Sequence, residues 1–168
     1  PVLLTARGVF RVPTDPAGAR ADLERALRAD PKNPRAHYGL ALLLRKTDPR
    51  AALAEAEAAL RDDPNFLDAL QARAVLRARL GDLAAIGDAE RLSLIPTPHR
   101  LYNAACALSL LAANAGETRL VSRAVDLLDQ ALDAGFPSTF AATDPDLKAL
   151  YDAPGFRTVL NKPRPHSL

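Results

Sequence analysis

The sequence predicts an all-α fold, an α-solenoid of about four helix-turn-helix repeats closed by a short C-terminal helical cap. Three observations carry that prediction. Alanine supplies about a fifth of the 168 residues, while aromatics make up 5% and tryptophan is absent, a composition that suits close-packed helices better than a sheet sandwich. A shift of 33 residues lays the chain on itself: Thr14-Asp15-Pro16 falls on Thr47-Asp48-Pro49 and Asp30-Pro31 on Asp63-Pro64, with 11 identities in 18 positions. Finally, a capping side chain followed by proline recurs where helices should begin, at Asp15-Pro16, Asn33-Pro34, Asp48-Pro49 and Thr97-Pro98. Proline's fixed φ and missing N–H are tolerated in a first helical turn, where an Asp, Asn or Thr side chain accepts from the open backbone amides.

Taken in order, the first unit reads as helices near 2–12 and 15–29, the second helix opened by Asp15-Pro16 and stopped before Pro31. Asn33-Pro34 and Asp48-Pro49 open the next pair, near 34–46 and 48–62, and Pro64 closes it. A shift of 66 places Leu4, Ala6, Arg7, Val9 and Arg11 on Leu70, Ala72, Arg73, Val75 and Arg77, and Asp22, Glu24 and Arg25 on Asp88, Glu90 and Arg91. That similarity defines a third pair, near 66–80 and 83–94. The fourth, near 98–113 and 119–134, aligns at a shift of 105 through Ala124, Leu128, Leu132 and Ala134, six more than three periods. The polar stretch Asn114 to Thr118 is the simplest place for those six residues. Gly135 suits a left-handed helix end. Leu147, Leu150, Phe156, Val159 and Leu160 predict short helices near 145–151 and 155–161, a cover for the last repeat. The expected organisation is therefore repeats at about 1–32, 33–65, 66–97 and 98–136, a cap over 137–161 and a flexible tail over 162–168.

Small residues recur where paired helices must approach: Gly8, Ala41 and Ala74 in the first helices, and Ala19, Ala52, Ala85 and Ala124 in the second. With this period and these positions the sequence resembles the tetratricopeptide repeat family, over about residues 2–135. Ala26, Ala59 and Ala131, with Pro31 and Pro64 closing their units, add to the match. Asp144-Pro145-Asp146-Leu147 followed by Pro154-Gly155-Phe156 is similar to the ending of arrays attached to bacterial signalling proteins, Ser/Thr protein kinases among them. The chain departs from the family at its large-residue sites, which hold Leu4, Arg7 and Arg11 in the first unit and Leu70, Arg73 and Arg77 in the third. The resemblance implies a concave groove lined by first helices that grips a peptide. Mapped by the 33-residue shift, its positions here are Arg35, Tyr38, Arg45 and Lys46 in the second unit and Asp68, Gln71 and Arg79 in the third. Four cations in that set point to an acidic peptide, held by charge-assisted hydrogen bonds. The Asn and Lys clamp of chaperone-binding members is absent, its sites holding Thr5, Val9, Tyr38, Leu42, Gln71 and Val75.

No reaction chemistry stands out. His37, His99 and His166 are isolated, no Cys-x-x-Cys or His-x-x-x-His spacing occurs, and the eight glycines are scattered, so neither a metal, a cofactor nor a catalytic residue is expected. Cys106, the single cysteine, lies in Asn103-Ala104-Ala105-Cys106-Ala107, where a buried inert thiol is the simplest reading. Tyr102 and Tyr151 read as packing anchors. The net charge is +2, with 18 of 22 basic residues arginine and the arginines dispersed among 20 acids, which speaks against a nucleic-acid tail. No apolar run has the length of a membrane span and the opening residues lack a signal peptide's pattern; a cytoplasmic home is expected. Methionine is absent and helical pattern starts almost at once, so the residues are expected to come from a longer polypeptide. The function expected is a non-catalytic scaffold or adaptor that binds a protein or peptide. One alternative is cis-regulation of an attached bacterial Ser/Thr kinase or other signalling enzyme, with another domain of the same parent as the partner. An RNA-binding array is a further alternative, disfavoured by the repeat period and the scarce aromatics.

Overall fold

The computed structural model describes residues 2–164, and they are all-helical, with no strand among them. Eight helices form the repeats: α1 (Val2–Arg11), α2 (Pro16–Ala29), α3 (Pro34–Leu44), α4 (Pro49–Asp62), α5 (Leu67–Arg79), α6 (Ala85–Ser93), α7 (Pro98–Asn114) and α8 (Leu120–Asp133). After them come the short α9 (Ser138–Ala141), a 3-10 helix (Pro145–Leu150) and α10 (Phe156–Asn161). The caps act as their sequence predicts. Side chains of Asp15, Asn33, Asp48 and Thr97 accept from the amides of Gly18, Ala36, Ala51 and Arg100, each with proline in the first turn. Among the described residues no helix is long and apolar enough to cross a membrane.

The chain divides into two compact units, Pro1–Leu76 and Arg77–Leu168. In the first, α1 packs on α2, α2 on α3, α3 on α4 and α1 on α3. Leu23, Ala26, Ala36 and Leu40 form one buried cluster, joined by the partly buried Leu4, Val9, Leu27 and Leu43. Ala41, Ala52, Ala56 and Leu76 form another, joined by Leu44, Leu53 and Ala72. The predicted close-approach positions are buried: Gly8, Ala41, Ala74, Ala19 and Ala52 here. At Gly8 a methyl group would lie 2.7 Å from Leu23 Cγ, so glycine is what lets α1 and α2 meet.

In the second unit α7 packs on α6 and α8, with Ala85 and Ala124 buried. The 3-10 helix lies on α7 and α8, and α10 on α8. Of the cover's apolar side chains, Leu147, Leu150, Phe156 and Val159 are buried, as expected, while Leu160 is half-buried. Gly135 has φ +97° and the amides of Gly135 and Phe136 bond to the carbonyls of Leu132 and Ala131, the double bond that closes a helix through a left-handed residue. Phe136 is thereby turned onto Tyr102, the rings stacked with centroids 3.8 Å apart. Tyr102 donates to Asp144 Oδ2 at 2.5 Å and Tyr151 to the Asp144 carbonyl at 2.9 Å. Asp144 itself caps the 3-10 helix through the Asp146 amide.

Two features differ from the sequence expectation. The six extra residues of the fourth repeat do not make a longer loop: α7 runs to Asn114, and the connection to α8 is 115–119, matching 80–84 between α5 and α6. The helix-forming run Leu108 to Ala113 continues α7 instead, and Asn114 Nδ2 reaches the carbonyls of Ala78 and Arg79. Part of the expected tail is also held. Lys162 Nζ lies 3.1 Å from Asp129 and 2.8 Å from Asp133, and Arg164 pairs with the same two carboxylates and with the Val159 carbonyl. The rest of that stretch, with His166, falls outside the described residues.

Candidate functional site

Three successive first helices share a register in the first unit, and their equivalent positions line one cavity of about 360 Å³. Val2, Arg35 and Asp68 are related by 33-residue steps; so are Thr5 and Tyr38, and Asn33 and Phe66. All seven line the cavity, together with Ala6 and Val9. The arrangement follows from local structure. Asn33 caps α3 through the Ala36 amide at 3.0 Å, which fixes the first turn and so the direction of Arg35 and Tyr38. The Tyr38 ring meets Phe66 edge-on, centroids 5.3 Å apart at 68°. Burial is the main cause that pushes the Tyr38 hydroxyl above its ordinary pKa; the Asp68 charge adds to the shift and Arg45 opposes it. Tyr38 is therefore a neutral donor at any ordinary pH.

Of the residues expected to form the groove, the structure brings Arg35, Tyr38 and Asp68 together in the wall. Gln71 stands beside them, donating to Asp68 Oδ1 at 3.2 Å. Arg45 follows α3 as its C-cap and is exposed; Lys46 lies in the turn beyond it, exposed as well. Arg79 belongs to the second unit, where Nη2 bonds both oxygens of Asp146 at 3.0 and 2.8 Å. The cavity wall thus carries one cation and one anion on a mostly apolar surface. Asn33, Phe66 and the α1 residues Val2 and Ala6 are not among the expected groove residues, and Thr5 and Val9 are there only as sites of the missing clamp. Their signal was available in the register, since Phe66 is the 33-residue equivalent of Asn33 and Val2 that of Arg35.

Elsewhere the histidines at 37 and 99 and the one cysteine are held in structural contacts. His37 places Nδ1 2.7 Å from Glu55 Oε2 and Nε2 3.1 Å from the Pro31 carbonyl. His99 packs edge-on against Phe136. Cys106 is buried, and that burial, reinforced by Asp144 and Asp146, pushes its thiol well above the ordinary value, the opposite of what a nucleophile needs. Among the described residues no group of three or more His, Cys, Asp or Glu side chains could hold a metal ion. No family model, no curated protein and no solved structure matches the chain.

Proposed function

We propose that this chain is a non-catalytic interaction module of the tetratricopeptide type, a cytoplasmic scaffold or adaptor element that binds an extended or helical peptide against α1, α3 and the start of α5. The observation that supports this reading is the cavity of about 360 Å³ built from equivalent positions of three consecutive first helices. Its chemistry selects the ligand. The apolar wall of Val2, Val9, Tyr38 and Phe66 takes a leucine- or phenylalanine-sized side chain, and Arg35 takes an adjacent carboxylate in a two-pronged hydrogen bond. Asp68 opposes an acidic residue on the other side. The preferred peptide is therefore apolar at its centre and acidic on the Arg35 side only.

A direct test is a fluorescence-anisotropy titration with a panel of labelled ten-residue peptides bearing one central Leu or Phe and a Glu placed before or after it. Micromolar binding, about 8 kcal/mol, to one orientation is expected, reduced about tenfold or more by Arg35→Glu. Equal binding of both orientations, or an unchanged affinity in Arg35→Glu, would overturn the proposal.

A further inference from the structure

The most exposed apolar side chains of the first unit lie on one stripe of α1. Leu3 is 86% and Phe10 82% exposed, with the exposed Ala6 between them at helical spacing. The chain's own repeat says what this stripe is for. Thirty-three residues on, the same positions are Ala36, Gly39 and Leu43 of α3. Ala36 and Leu43 pack in the cluster of Leu23 and Ala26 from α2, and a methyl at Gly39 would lie 2.7 Å from Leu23 Cδ2. Another step on they are Ala69, Ala72 and Leu76 of α5, of which Ala72 and Leu76 pack with Ala52 and Ala56 of α4. In both cases the stripe receives the preceding second helix.

We infer that the Leu3, Ala6 and Phe10 face of α1 is a repeat-stacking surface whose occupant is a second helix of the α4 kind, placed ahead of residue 1 in a longer polypeptide. Size complementarity identifies the kind. Leu23 of α2 meets Gly39, whereas its equivalent in α4, Ala56, goes with Ala72. Ala6 has a Cβ where Gly39 has none, so a helix bearing leucine at that site is excluded and one bearing alanine is not; at the third position Leu3 stands where Ala36 and Ala69 are fully buried, so the occupant must also leave room there for the larger side chain. A folded second copy does not offer such a helix, because α2 is covered by α3, α4 by α5, α6 by α7, and α8 by α10. The same-chain source follows from size: two large side chains on a ten-residue helix make too small an interface to offset the entropy of bringing two molecules together, but enough when a short connection supplies a high effective concentration. The inference is independent of the peptide cavity's function.

The test is to place a copy of residues 34–66 directly ahead of residue 1 in the 168-residue chain, and separately a copy of residues 1–33. Both are made with the native α1 and with Leu3→Ala, which restores the residue found at 36 and 69. The 34–66 copy should raise the melting temperature and slow hydrogen exchange across α1 in at least one background, with a smaller effect or none from the 1–33 copy. Phe10→Glu should leave the unextended chain's melting temperature unchanged and remove the gain in the extended one. The inference falls if the 34–66 copy protects α1 in neither background, or if both copies act alike. It also falls if the unextended chain is a dimer by light scattering that Phe10→Glu disperses, since a second copy would then be the occupant.

Discussion

Asp22 and Asp88 stand at the same point of their repeats, 66 residues apart, and both are buried. Asp22 takes Arg7 Nε at 2.7 Å and Arg11 Nη1 at 3.0 Å; Asp88 takes Arg77 Nη1, the equivalent of Arg11, at 3.1 Å. The arginines at large-residue sites of the first and third repeats thus do by ion pairing what bulk does elsewhere, with the aliphatic stems covering the helix contact. In the second repeat the same sites are Leu40 and Leu44, and the acid, Glu55, turns to His37. The sequence showed the arginines and the acids as repeats but not as partners, because pairing between two helices depends on their crossing, which spacing does not encode. Hydrogen bonding to Arg7 is the largest cause holding Asp22 below the ordinary carboxylate pKa. A depressed folded-state pKa contributes stability above the unfolded value, near pH 4, and loses it as pH falls through the folded one. Melting temperatures measured from pH 7 down to about pH 2.5 should therefore fall more steeply in the native chain than in Asp22→Asn, and Asp22→Asn should be the less stable at pH 7. At the neighbouring contact Ala52 is fully buried against Leu76. Ala52→Leu is expected to lose about 1–3 kcal/mol in a urea titration through overpacking.

At the scale of elements, sequence reading worked wherever a boundary has a chemical cause. Cap-proline pairs at Asp15, Asn33, Asp48 and Thr97, and Gly135 at the other end, marked helix limits because each satisfies a specific backbone group. Asp48→Ala should cost about 1 kcal/mol in the same urea titration, the usual loss for an N-cap. The extra residues of the fourth repeat lie in α7 although the polar, glycine-containing stretch after it has the composition of a loop. What a sequence period cannot weigh is the Asn114 side chain bonding to the end of α5, which rewards a longer α7. The short α9 leaves no mark in the sequence, since four residues show no helical period. The cavity was half legible. The register places Arg35, Tyr38 and Asp68, but the charges along it say nothing of the apolar wall, and nothing local reveals that Arg79 is committed to Asp146, 67 residues away.

On the scale of the molecule, the second unit ends in a cover joined to α7 by a polar latch. Asp144 receives the Tyr102 hydroxyl on its side chain and the Tyr151 hydroxyl on its carbonyl, and both rings also pack, Tyr102 on Phe136 and Tyr151 beside Phe156. An open-ended repeat would expose the apolar side of its last helix, so the cover is part of this unit's stability and not an ornament. Deleting everything after Thr143 removes four buried side chains, Leu147, Leu150, Phe156 and Val159, each worth about 1.5–3 kcal/mol when fully buried. Removing the latch alone, in Tyr102→Phe with Tyr151→Phe, keeps the rings and takes away two hydrogen bonds, about 1 kcal/mol for the one to the carbonyl and about 1.5–3 kcal/mol for the one to the carboxylate. The truncated chain should lose cooperative melting by circular dichroism in the second unit and bind an apolar dye, while the double phenylalanine variant melts several degrees lower and binds none. A truncated chain as stable as the full one would mean that α7 and α8 need no cover.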